Sequence, residues 1–178
     1  MHKDILKILA DEDQIRMRNA ELGAAISRDY AGKNPIFVGV LKGCFIFMAD
    51  LMRACEVDCT VDFMVVSSYG SGTTSTGAVK IVKDLSHDIE GRDVIIVEDI
   101  LDSGNTLSYL KRYLGGRNPA SIRIVTLFDK PGRRTSVIEA DYIGFTIPDA
   151  FVVGYGLDYD EKYRNLPYVG VLKPEVYS

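Results

Sequence analysis

The sequence predicts an α/β fold with a mainly parallel central sheet flanked by helices. Two observations carry that reading. Short apolar runs alternate with helix-patterned stretches along the chain, and several of those runs are continuously β-branched. Continuous runs suit strands covered on both faces, as parallel strands are. Alternation of strand and helix suits right-handed crossovers. A length of 178 residues suits one domain, taken as residues 1–178.

In chain order, Asp13–Tyr30 sets Ile15, Leu22, Ile26 and Tyr30 on one face of a 3.6-residue period, with Asp11 or Asp13 as cap and Gly32 as stop. Ile36–Leu41 is a buried strand. Cys44–Ala54 is apolar nearly all round (Phe45, Ile46, Met48, Leu51, Met52), which predicts a central, buried helix. Val61–Val66 is the next strand. Ser67–Gly77 then interrupts the pattern with small, polar and glycine residues around Tyr69, long enough for a functional loop. Asp93–Val97 is a strand, and Thr106–Leu114 a helix with Leu107, Leu110 and Leu114 on one side and Gly115-Gly116 at its end. Ser121–Phe128, Ala140–Ile147 and a short Tyr168–Leu172 complete the strands.

Composition excludes several classes. With 47% hydrophobic and 26% charged residues, the chain has the apolar area that a disordered chain lacks. Lys and Arg number 21 against 25 Asp and Glu, net −4, so no overall basic footprint points to nucleic acid or to an anionic membrane. The uncharged apolar runs Asn34–Leu41 and Gly43–Ala49 fall far below the ~18 residues of a spanning helix. Met1–Asp4 leads into acidic residues with no apolar signal region. Cys44, Cys55 and Cys59 lie in apolar stretches without a Cys-x-x-Cys, which predicts reduced, buried thiols and a cytoplasmic setting. His2 and His87 stand away from the cysteines, so neither a zinc site nor a histidine triad is supported, and His87 is expected to be a solvated loop residue. No P-loop is present, and Gly70-Ser-Gly72 lacks the helix a dinucleotide fingerprint needs.

Chemistry concentrates in Val94–Thr106. A buried strand ends in two adjacent acids, Glu98 and Asp99; the turn Asp102-Ser103-Gly104-Asn105-Thr106 follows, and then a helix. Open α/β sheets bind ligands at the carboxyl ends of strands. Backbone N–H groups in the turn, the hydroxyls of Ser103 and Thr106, and the helix dipole make a cradle for a phosphate monoester. Carboxylates beside an anion cradle repel it by ~1–4 kcal/mol per close pair, unless ribose hydroxyls and a Mg²⁺ lie between them. The pattern therefore predicts a ligand with a phosphate at one end, a diol in the middle and a metal nearby. The bland alternative is that Asp99 and Asp102 only cap the next helix.

Val94–Thr106 resembles the phosphoribosyl-diphosphate (PRPP) motif of the type I phosphoribosyltransferase family. From Ile36 to Val171 the chain is similar to the hypoxanthine-guanine branch of that family in its compact bacterial form. The resemblance implies a small hood formed by terminal segments and transfer of 5-phosphoribosyl from PRPP to N9 of a 6-oxopurine, giving IMP or GMP and pyrophosphate. It implies Mg²⁺ as cofactor and a homo-oligomer, dimer or tetramer. By position, Glu98 and Asp99 would handle ribose and metal, Asp102 would be the general acid/base, and Ser103, Gly104, Asn105 and Thr106 would hold the 5′-phosphate. Leu41-Lys42-Gly43 resembles the pyrophosphate loop, whose Lys–Gly peptide is typically cis, and Arg164 would also meet pyrophosphate. Lys130 would donate to the purine 6-oxo group, Phe151 stack on the ring and Val152 read its edge. Asp158 would bind a metal water or the exocyclic edge. Ser68 and Tyr69 fall in the family's closing loop. Asn105 stands at a variable position, which weakens a side-chain role there. Arg133 and Arg134 are read as a solvated or interface pair, and Asp160 and Glu161 as a solvated acidic turn. The rival reading is a regulatory PRPP-motif protein that binds RNA or protein.

Overall fold

The computed structural model describes residues 1–68 and 79–178. The expected closing-loop residue Tyr69 lies outside them, and Ser68 ends a strand there. Strand β1 (Ile5–Ala10) leads into helix α1 (Glu12–Asp29). Strand β2 (Ile36–Leu41), helix α2 (Phe45–Ala54), β3 (Thr60–Ser68) and β4 (Val79–Lys83) follow. Next come β5 (Asp93–Leu101), α3 (Asn105–Gly115), β6 (Ser121–Asp129), a 3₁₀ turn (Pro131–Arg133) and β7 (Tyr142–Thr146). The chain closes with β8 (Val152–Val153), β9 (Val169–Leu172) and α4 (Pro174–Tyr177).

Six strands form the main sheet in the order β4-β3-β2-β5-β6-β7, parallel except for β4, so the sheet is mostly parallel as expected. The uninterrupted apolar runs are explained by the two cores. In β5, Ile95 and Val97 pack with α1 and α2 residues such as Ile26, Phe47 and Leu51; Val94 and Ile96 pack with Leu107, Leu110 and Leu114 of α3. Each such buried side chain contributes roughly 1.5–3 kcal/mol relative to exposure. β5 lies between β2 and β6, so its carboxyl end opens near the middle of the sheet.

Asp11, not Asp13, caps α1. Its carboxylate accepts from the Gln14 amide at 2.8 Å, while Gln14 accepts from the Asp11 amide at 2.9 Å, a reciprocal capping box. Helix α2 is less buried than expected: Phe47, Met48 and Leu51 are buried, but Phe45 is 44% exposed, because the first turn emerges at the ligand end of the sheet. A Cβ at Gly39 would stand 2.5 Å from Met48 Sδ, so glycine there lets α2 lie close on β2.

The second sheet, β1-β9-β8, is antiparallel and joins both ends of the chain, Ile5 facing Leu172 and Val152 facing Val171. This is the expected hood. The cysteines are unpaired; burial pushes the Cys44 thiol well up and Cys55 up to about 11, so neither is a reactive thiolate.

Candidate active site

Strand β5 runs four residues beyond its expected end and carries both acids inside the sheet. Glu98 is buried, and burial first, then the charge of Asp99, raises its carboxyl well above the usual range. Burial raises Asp99 as well. Backbone amides turn inward on the pair: Asp99 N–H donates to Glu98 Oε1 at 3.2 Å and Ile100 N–H to Asp99 Oδ1 at 2.7 Å. The other Asp99 oxygen is packed on Gly43, where a Cβ would stand only 1.6 Å from it. The glycine thus lets the β2–α2 loop close over the acid.

A cleft of about 270 Å³ opens at this point. Lys42, Gly43, Glu98, Asp99, Asp102, Ser103, Gly104 and Thr106 line it. A larger hollow of about 920 Å³ beside α3, lined in part by Lys111, Arg112 and Val137, contains none of the expected site residues.

On one side of the cleft, Gly104 turns the chain at φ +84° into α3, which begins at Asn105, one residue earlier than expected. Among the described residues, the N–H groups of Gly104, Thr106 and Leu107 have no internal acceptor. They are the orphan donors of a helix start and are directed by its dipole at an anion. The turn is held from behind. Thr135 and Ser136 donate their amides to Ser103 O at 2.9 and 3.1 Å, and their hydroxyls donate to Asn105 Oδ1. The Asn105 side chain is therefore committed to this brace.

On the other side, Lys42 Nζ lies 3.1 Å from Glu161 Oε1, and Arg164 Nη2 lies 3.4 Å from Glu161 Oε2 and 3.0 Å from Asp158 Oδ1. Lys42 holds the Glu161 carboxyl below its ordinary range. The structure thus joins Lys42 and Arg164 through Glu161, which the sequence reading left in a solvated turn. Arg164 also donates to Gly156 O at 2.7 Å, while its buried Nε has no partner. The cis peptide bond of the loop is Leu41–Lys42, one residue before the expected one.

Lys130, Phe151, Val152, Asp158 and Arg164 lie outside the walls of the cleft. Ion pairs tie Lys130 to it through Asp149 and Arg133, and Asp158 and Arg164 through Glu161 and Lys42; among the described residues, no such pair ties Phe151 or Val152 to it. Lys130 is buried and donates to Ala150 O at 2.6 Å; burial lowers its ammonium below the ordinary lysine range. Phe151, 39% exposed, stacks on Tyr177 with centroids 4.8 Å apart and meets Tyr159 edge-on. Val152 lies on the edge strand of the hood, with β9 on one side only. Arg134 is largely buried and Arg133 half exposed, and both reach Asp102. Arg133 Nε is 3.2 Å from Asp102 Oδ1, and Arg134 Nε donates to Asp102 O at 3.1 Å.

Among the described residues, no three His, Cys, Asp or Glu side chains converge, so Glu98, Asp99 and Asp158 do not form a ready metal cage. The acid pair nevertheless fits a hard cation. When ionised, the buried Glu98 and half-buried Asp99 carboxylates, both held above their ordinary range, carry charge that a divalent ion would balance, and Mg²⁺ uses few protein oxygens beside those of its ligand.

Residues 6–160 match the model of the phosphoribosyl transferase domain. The chain is 56% identical over its whole length to the hypoxanthine-guanine phosphoribosyltransferase of Streptococcus thermophilus, covering 99% of that protein. It is equally identical to the bifunctional protein TilS/HprT of Listeria innocua, of which it spans 28%. A hypoxanthine phosphoribosyltransferase from Staphylococcus aureus superposes with a TM-score of 0.97 at 54% identity, covering 100% of this chain and 97% of that one. The hypoxanthine phosphoribosyl transferase of Trypanosoma cruzi, studied for the role of its C-terminal region in oligomeric state and activity, superposes at 0.95 with 45% identity, over 99% and 96% of the two chains.

Proposed function

The chain belongs to the phosphoribosyl transferase family, and from that premise we propose that it transfers the 5-phosphoribosyl group of PRPP to N9 of a 6-oxopurine. Hypoxanthine or guanine is the acceptor; IMP or GMP and pyrophosphate are the products. The observation that carries this reading is one strand end that presents an acid pair, a turn of open amides and, across a small cleft, a lysine on a glycine hinge.

The 5′-phosphate occupies the amides of Gly104, Thr106 and Leu107, with the hydroxyls of Ser103 and Thr106 beside them. Glu98 and Asp99 accept from the ribose hydroxyls. Asp99, Glu98 and Asp158 would hold Mg²⁺, which would supply neutralising charge for a departing pyrophosphate. Lys42 and Arg164 release Glu161 and bind the pyrophosphate oxygens, so the leaving group separates against fixed positive charge. Asp102 takes or returns the proton of the purine as N9 bonds to C1′. Lys130 faces O6, Phe151 stacks on the ring and Val152 offers backbone groups at the ring edge. A buried ammonium meets the 6-amino group of adenine donor to donor, which rejects it by ~10⁴ or more. Residues 1–178 act as one domain of a cytoplasmic homo-oligomer, dimer or tetramer.

Nucleotide formation from PRPP with hypoxanthine, guanine, xanthine and adenine, with and without EDTA, tests this reading. Product is expected with the first two, little with adenine, and none once EDTA removes the divalent ion. Turnover of adenine equal to that of hypoxanthine would refute it.

A further inference from the structure

Arg133 ends the 3₁₀ turn that follows Lys130 and touches two acids at once. Its Nε lies 3.2 Å from Asp102 Oδ1 and its Nη1 3.3 Å from Asp149 Oδ1. That Asp149 oxygen lies 4.0 Å from Lys130 Nζ, whose hydrogen bond goes to Ala150 O. One guanidinium therefore links the acid assigned to the purine proton with the loop that holds the lysine assigned to the purine oxygen.

The two oxygens of Asp102 differ in surroundings. Oδ1 is buried and no donor is aligned on it for a hydrogen bond, while the side chain as a whole is 41% exposed and lines the cleft. Among the described residues, Arg133 is the one side-chain cation within 4.0 Å of that carboxylate. Arg134 is committed elsewhere: it donates to the backbone oxygens of Asp102 and Ile138 and pairs with Asp129. Arg134 fixes the main chain at Asp102, which leaves the carboxylate's rotation to Arg133. A buried oxygen that loses its one close counter-charge among the described residues turns toward water.

We propose that Arg133 is a positioning residue for Asp102. It holds Oδ1 inward by charge, so the second oxygen faces the purine, and it keeps this orientation in register with the base-reading loop. The proposal rests on the reading of Asp102 as the acid/base. Arg133 is half exposed and its ion pairs add little to stability, so its removal leaves the fold intact.

The experiment is steady-state kinetics of the whole chain with PRPP and hypoxanthine for R133Q, R133K, D102N and the R133Q/D102N pair. R133Q is expected to lower kcat by about 10- to 100-fold, the scale of a misaimed catalytic group, with KM for PRPP within about twofold. R133K keeps the charge without the fork and is expected to recover most of that loss. In the D102N background, R133Q should change kcat no further. The proposal is overturned if R133Q turns over at the parent rate, or if it slows D102N by the factor it slows the parent. Failure of the acid/base reading has a separate signature, D102N itself retaining full kcat.

Discussion

The two ends of the cleft grip anions by different means. At the turn before α3, backbone N–H groups stand open and braced from behind by Thr135 and Ser136, so a phosphate meets donors that need no rearrangement. At the β2–α2 loop, the cations already have internal anions in Glu161 and Asp158. A pyrophosphate group there must replace a carboxylate before it gains anything. The two ion pairs are unequal. Lys42 and Glu161 are both largely exposed, so water screens their attraction and the exchange is easy. The side chains of Arg164 and Asp158 are only 18% and 30% exposed, and Arg164 is further tied to Gly156 O, so this pair persists. On the proposed reading, the rigid end would receive the group that stays with the product, and the exchangeable end the group that leaves.

Substitutions at each end can break or sharpen that contrast. The largest effect is expected between the ends. Asp102→Asn grips neither anion and should lower kcat by ~10²–10⁴ while KM for PRPP changes little; a large rise in KM instead would move Asp102 into one of the ends. Next is Gly43→Ala, whose Cβ would stand 1.6 Å from Asp99 Oδ2. Displacing that carboxylate should reduce kcat/KM for PRPP about 100-fold, and a near-normal value would show the loop to be as adaptable as its lysine. Gly104→Ala places a Cβ 2.5 Å from Ile138 Cγ2 on a backbone at φ +84°. Strain of about 1–3 kcal/mol should fall on the cradle, raising KM for PRPP roughly tenfold; tight binding retained would mean that the turn is not rigid. The smallest change is Glu161→Gln, which frees Lys42 of its competitor. Binding of pyrophosphate should tighten about two- to fivefold, most at low salt, and weaker binding would show that Glu161 orients the lysine instead of competing for it.

Local chemistry was legible in the sequence, and distant contacts were not. The apolar runs of β2, β5 and β6 declare strands because each is buried on both faces, and the open turn at Gly104 follows from residues adjacent in the chain. Arg133 and Glu161 carried no such signal. Each is an ordinary surface charge until the fold sets it against Asp102 or Lys42, far away in sequence. β1 was missed for the same reason, since its partner is β9 at the other end of the chain. His87 was read correctly as exposed, but its ring and backbone meet Asp62, a buried acid within the apolar run of β3. That lone acid in an apolar strand was the available hint.

The hood also differs from the main sheet in the reach of its pairings. Ile5 waits for Leu172, so its three strands can pair only when nearly all of the chain is available, whereas the strands and acids of the main sheet are complete by Thr146. Closing so long a loop is slow. The main sheet needs no residue beyond Thr146, whereas the wall that carries Phe151 and Val152 depends on pairing across almost the whole sequence.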